Sequence, residues 1–281
     1  MIDRAGRTLL RALLLVAGSG FGAGGSASAL DRFEIQVYDA EANPPGRASL
    51  ELHLNFTPSG KGSAGYPGEV PPDRVAHMTL EPALGVTRWL ELGAYLQFML
   101  APGGDARFGG TKLRAKLTLP DDVREALGLP VFLALNAEVG KVPVAVEQEG
   151  WANEFRPIVG VRSGRWLVSL NPILGYPLSG PDRFRVEVEP CGKVSWNTQR
   201  GFAVGAEYYA SLGAIADGFL PLREQEHLLL AVVDLEEPVR PAEEAADRRD
   251  SPWELNLGVG AGLTRGTPQH VFLKAIAGRS F

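Results

Sequence analysis

The sequence predicts an all-β protein: a single antiparallel transmembrane β-barrel of about twelve strands. Three observations carry this expectation. Long segments alternate strictly between apolar and polar residues, many of them run for nine to twelve residues, and all five tryptophans fall at segment ends. Alternation with period two marks a strand with one apolar face. A tilted membrane strand needs about 9–11 residues, against about 5–6 for a typical strand of a soluble domain. A tryptophan ring suits the bilayer interface, and a central core would not send every tryptophan to an edge.

In chain order, strands are expected over 47–56, 75–84, 89–100, 110–119, 130–141, 153–161, 166–178, 184–195, 201–212, 226–236, 253–264 and 270–281. In "ASLELHLNF" (48–56), Leu50, Leu52, Leu54 and Phe56 alternate with Ser49, Glu51, His53 and Asn55. "WLELGAYLQFML" (89–100) sets its leucines and Phe98 against a face holding Glu91 and Gln97. "TKLRAKLTL" (111–119) alternates Leu113, Ala115, Leu117 and Leu119 with Lys112, Arg114, Lys116 and Thr118. "VFLALNAEV" (131–139) opposes its apolar residues to Asn136 and Glu138. "FRVEVEPCGKV" (184–194) opposes Phe184, Val186 and Val188 to Arg185, Glu187, Glu189, Cys191 and Lys193. "WELNLGVGAGLT" (253–264) opposes Trp253 and its aliphatics to Glu254, Asn256 and three glycines.

Tight turns are expected at 86–88 and 162–165, and longer loops at 57–73, 142–151 and 211–224. Helical character is confined to "PDDVREALG" (120–128), where Pro120 and Asp121 suit a helix start, and "PAEEAADRRD" (241–250). No helix pattern is long enough for a βαβ crossover, so the sheet is expected to be antiparallel and the domain single.

The first 29 residues read as a cleaved secretory signal. Arg4, Arg7 and Arg11 flank or interrupt the apolar stretch Leu9–Ala17, and Ala27-Ser28-Ala29 fits the small-residue cleavage rule. Residues 30–46 are left over and are expected to be a periplasmic or lumen-packed lead-in. The barrel itself is assigned to 47–281.

The polar faces carry charge in both signs at mid-strand: Lys112, Arg114, Glu138, Arg156, Arg185, Glu187, Glu207 and Glu254. With Glu51, His53, Glu91 and Lys116 they are the expected lumen-lining and selectivity residues. A barrel interior accommodates such side chains as cross-strand ion pairs, while the apolar faces meet lipid. In "ASLELHLNF" the leucines and Phe56 are therefore expected outside, and Glu51, His53 and Asn55 inside. Lys112, Arg114 and Lys116 form a basic ladder that, unpaired, would favour anions. Glu91, Asn136 and Glu138 on the neighbouring strands are expected to neutralise it.

The chain ends on Phe281, as last strands presented to the barrel-assembly machinery of outer membranes do, although Arg279 stands where an apolar residue is usual. Together with the signal, "LEPALGVTRWLELGAYL" (80–96), "RWLVSLNPIL" (165–174) and "LNLGVGAGLT" (255–264), this ending resembles a family of outer-membrane barrels of Proteobacteria. That family includes proteins named for the meta-pathway of phenol degradation. The resemblance implies an outer-membrane location in a Gram-negative bacterium and porin-like passage of a small solute, an aromatic or hydrophobic one within its range. It supplies no catalytic residues.

Chemistry of other kinds has little support. The net charge of −5 does not suit a nucleic-acid partner, and the single Cys191 allows no intramolecular disulfide. There is no P-loop, HExxH or CxxC, so no cofactor and no metal ligand is assigned. Glu51 shares a face with His53, as His77 does with Glu81, and a hydrogen-bonded lumen network is the preferred reading of both. A barrel lipase would need a serine beside an oriented histidine, and no serine motif stands near His227 or His270. The expectation is a non-enzymatic channel whose partners are outer-membrane lipid, the assembly machinery and a small solute. The alternative is a structural barrel with a plugged lumen, and, behind it, a lipid-modifying enzyme.

Overall fold

Twelve strands form: β1 (Ala48–Gly60), β2 (Val75–Gly85), β3 (Leu90–Ala101), β4 (Asp105–Thr118), β5 (Phe132–Lys141), β6 (Trp151–Ser163), β7 (Trp166–Pro177), β8 (Glu187–Asn197), β9 (Phe202–Ser211), β10 (Glu226–Leu235), β11 (Glu254–Gly262) and β12 (Gln269–Ser280). In this computed structural model, residues 31–148, 150–235 and 253–281 are described. The signal expected over 1–29 and the helical stretch expected over 241–250 lie outside them. Each strand pairs antiparallel with its sequence neighbours, and β1 pairs with β12, so the sheet closes. Closure leaves no strand edge, which is what permits strands to cross lipid.

Three elements differ by more than two residues from the sequence expectation, the first being β1, which runs on to Gly60 through the opening residues of the loop expected over 57–73. β4 begins at Asp105 instead of near 110, because Gly103 and Gly104 adopt φ of 87° and 83° and close a three-residue turn after β3. Only glycine enters that region freely. β8 begins at Glu187 instead of 184, because Phe184 sits at φ 66° and breaks the extended run. Arg185 therefore precedes the strand. Of the helical stretch 120–128, a six-residue helix α1 (Asp121–Ala126) forms after Pro120, with Asp121 and Asp122 in its first turn.

The alternation fixes which face meets what. Leu50, Leu54, Leu92, Leu113 and Leu257 point out and are exposed, whereas His53, Asn55 and Thr57 point in and are buried. An exterior of this kind suits hydrocarbon, where every backbone group is already bonded within the closed sheet. The tryptophans stand at strand ends as expected, Trp151 and Trp166 opening β6 and β7. Pro172 of β7 lies opposite Pro190 of β8, and the β6–β7 ladder is interrupted between Phe155 and Val159, around Pro157. Proline has no N–H to give to a ladder.

Residues 31–46 join no strand. Their backbone is held instead by inward side chains from around the barrel. Asn55 of β1 donates to the Arg32 carbonyl (3.0 Å) and Thr79 of β2 to that of Phe33 (3.1 Å). Lys274 of β12 donates to the Ile35 carbonyl (3.1 Å), and Ser169 of β7 to that of Tyr38 (2.6 Å). Asn171 of β7 accepts from the Tyr38 amide at 2.7 Å. Farther on, Asn43 reaches Ser49 and Glu91, at the rim where β1 begins and β12 ends.

The interior is not uniformly polar. Ile35 and Val37 pack against Ile173, Cys191, Tyr209, Leu228, Leu230, Val232 and Phe272, all buried. On the other side Phe33 packs on Val75 and Met99. Gly109 lets it in, since a Cβ there would stand 2.4 Å from the Phe33 ring. Burying each such side chain is worth roughly 1.5–3 kcal/mol.

Candidate functional site: the lumen and its vestibule

Period-two geometry brings most of the expected lining residues onto one inner surface, and the antiparallel register pairs their charges. Arg114 of β4 lies between two carboxylates, Glu81 of β2 at 2.9 Å and Glu91 of β3 at 2.8 Å. Lys112 is paired with Asp31 of the N-terminal segment and lies 3.6 Å from Glu138 of β5. Lys116 bonds the Glu41 carbonyl. Two charges of the basic ladder are thus neutralised, Arg114 by cross-strand acids and Lys112 by Asp31 with Glu138, while Lys116 is held by a neutral carbonyl. Farther round, Arg156 of β6 meets Glu154 at 2.8 Å and Glu34 at 3.6 Å. Glu207 of β9 meets Lys274 at 2.5 Å and Lys193 at 3.5 Å.

Tyr38 is the centre of this arrangement. Arg156, Lys116 and Arg114 stand over its ring at 4.6, 5.1 and 5.8 Å. Its hydroxyl donates to Glu34 at 2.6 Å and lies 2.8 Å from the Tyr95 hydroxyl, which donates to Glu138 at 3.2 Å. The negative face of an aromatic ring attracts cations most strongly when water is excluded, as here. Nothing in the strand alternation announces Tyr38, because its role depends on three strands distant in sequence.

The remaining expected residues fall elsewhere. Glu254 opens β11 at the rim and is exposed. Arg185 pairs with Asp182 and Asp217 in loops outside the strands. Glu187 opens β8 and faces the vestibule described below. His53 does not act with Glu51 alone. Its Nε2 lies 3.1 Å from Glu81 and 3.5 Å from Glu51, because the β1–β2 register sets Glu51 opposite Glu81. His77 is not part of that group and stands edge-on to Phe33, ring centroids 4.6 Å apart. His227 bonds Tyr208 and Gln225.

At the end of the barrel opposite the start of β1 and the end of β12, the loops frame a cavity of about 840 Å³. Asp31, Arg32 and Phe33 contribute to its floor, so the N-terminal segment bounds it from below. Among the described residues ten carboxylates and five cationic side chains line it, an acidic excess. Glu154, Glu187, Glu189 and Glu226 form one wall, from the ends of β6, β8 and β10.

No protein-family model matches this chain, and no curated protein does. Solved structures do share the fold. An outer-membrane channel from Pseudomonas putida F1 aligns with a TM-score of 0.55 and 14% identity, over 88% of this chain and 100% of its own. The KdgM porin aligns with a TM-score of 0.50 and 10% identity, over 83% of this chain and 99% of its own.

Proposed function

We propose that this barrel is a channel of the Gram-negative outer membrane that passes a small solute, and that residues 31–43 stopper it. The observation that carries this reading is the vestibule. A cavity of about 840 Å³ leads down to a single stretch of chain, and that stretch is not part of the wall. An eight-stranded barrel is filled by its own side chains, whereas about 16–18 strands leave a wide channel. Twelve strands leave room for one strand-like segment. When that segment withdraws, the surface it uncovers is mixed: the Arg114, Arg156 and Lys274 side, and the apolar strip of Leu228, Leu230, Val232 and Phe272. That strip would suit an aromatic or hydrophobic solute of the kind the sequence resemblance implies. The fold shared with the outer-membrane channel and the porin supports the location and the class of function.

A second reading, a permanently plugged barrel without transport, is favoured by the number of bonds holding residues 31–43. Reconstitution in planar bilayers separates the two. Discrete conductance steps are expected for a channel, with long closed periods while the segment is seated. Silence across salts and voltages would leave the plugged barrel as the account.

A further inference from the structure

We propose that Glu51, His53 and Glu81 form a binding site for a divalent transition-metal ion of the zinc class, set in the barrel wall against residues 31–46. The site does not depend on transport.

The strand register builds it. Glu51 of β1 lies opposite Glu81 of β2, and His53, two residues on, shares the inward face of Glu51. One ligand atom from each of the three residues lies within 4.8 Å of the other two. His53 Nε2 stands 3.1 Å from Glu81 Oε2 and 3.5 Å from Glu51 Oε2. Bonds of about 2.0–2.2 Å from a tetrahedral zinc to nitrogen and oxygen put neighbouring ligands about 3.4 Å apart, between those two distances.

A proton serves this arrangement poorly. Nε2 carries one N–H, which is aimed at one of the two oxygens at a time. A metal ion accepts an electron pair from all three atoms. The surroundings hold the ligands in that pose. Glu81 gives its other oxygen, Oε1, to Arg114 at 2.9 Å, which keeps Oε2 turned to His53. Arg114 has a second partner in Glu91 at 2.8 Å, so its charge is not stranded when a metal draws on Glu81. His53 Nδ1 has no hydrogen-bond partner, so the ring is oriented through Nε2 alone.

A separate observation supplies a fourth ligand. Gln36 of the lumen segment donates from Nε2 to Glu51 Oε2 at 3.4 Å, while its own Oε1 is buried with no hydrogen-bond partner. Turning that amide over exchanges the two atoms. It would set the unpartnered oxygen about as far from Glu51 Oε2 as a fourth tetrahedral ligand stands. The Glu51 side chain is 29% exposed, against 0% for His53 and 2% for Glu81, so an ion arrives from the Glu51 side. The imidazole selects zinc and its transition-metal neighbours over magnesium and calcium, which take oxygen ligands. Two carboxylates balance the two charges of such an ion.

The test is calorimetric titration of the tag-free barrel, stripped with EDTA in nonionic detergent, with zinc chloride and in parallel with magnesium chloride. One zinc per barrel is expected, with no response to magnesium at the same concentrations. Glu51→Gln and, separately, His53→Gln should each weaken zinc by at least about tenfold, since even an outer-shell partner of a metal ligand is worth that much. His270→Gln, at an exposed position of β12, should bind as the wild type does. Glu51→Gln keeps the side-chain volume of a partly exposed acid, so folding is expected to persist, and the band shift on unheated gels checks each variant. A wild type that takes up no stoichiometric zinc would overturn the site. So would a folded Glu51→Gln barrel that binds zinc as tightly as the wild type, or magnesium binding equal to that of zinc.

Discussion

Arg114 shows how much depends on single side chains in the lumen. It is 5% exposed and holds two carboxylates, Glu81 and Glu91, that are themselves buried. Removing one partner of a buried ion pair strands the other and typically costs 3–5 kcal/mol. Arg114→Ala is therefore expected to lower stability by about that much in urea titrations of the detergent-solubilised barrel, while Glu51→Gln, on a partly exposed acid, changes it little. On the opposite parity, Leu52→Arg would place a charge on the lipid face and is expected to cost about 2–4 kcal/mol near the midplane. Folding yield into vesicles of defined thickness measures that directly, and a yield equal to wild type would mean the faces are assigned the wrong way round. The faces were legible from the sequence because they follow from strict alternation. The partner of His53 was not, because it depends on the β1–β2 register that sets Glu51 opposite Glu81.

Elements differ in how plainly their sequence speaks. β1 and β4 are alternating and were read correctly as strands. β10, "EHLLLAVVDL", is apolar on both faces, so periodicity locates the strand without showing that Leu228, Leu230 and Val232 line the interior. The start of β4 was missed because the short alternation of "DARF" is cut off from the rest of the strand by Gly109 and Gly110, where the register slips, and the turn before it rests on Gly103 and Gly104. The prolines predict where the wall is weakest. Pro172 faces Pro190, and ladder pairing lapses beside Pro157. Amides flanking this row, such as Ile158 and Asn171, are expected to exchange with deuterium faster than those at the same depth in β1 and β12. Uniform protection around the barrel would show that the missing donors are compensated.

At the scale of the whole molecule, a closed wall and a separate segment divide the work. The wall is stabilised by its own ladders. Residues 31–43 are stabilised by contacts drawn from most of the strands, with Ile35 and Val37 on the apolar strip and Tyr38 among three cations. No local sequence rule states what fills a barrel, which is why the leftover stretch at 30–46 could be located but not placed. Because Lys112 and Arg114 are neutralised where they stand, reversing the charge of Lys112 alone should alter the seating of Asp31 more than the ion selectivity of an open state. Recording reversal potentials for that variant under a salt gradient checks the point.

A channel of this kind requires residues 31–43 to be the stopper of a passage. Single-channel recording of the intact barrel beside a variant lacking those residues decides it. The variant is expected to stay open, with a conductance several-fold above the intact protein's mean current. Equal conductance in the two, or silence from both, would contradict it.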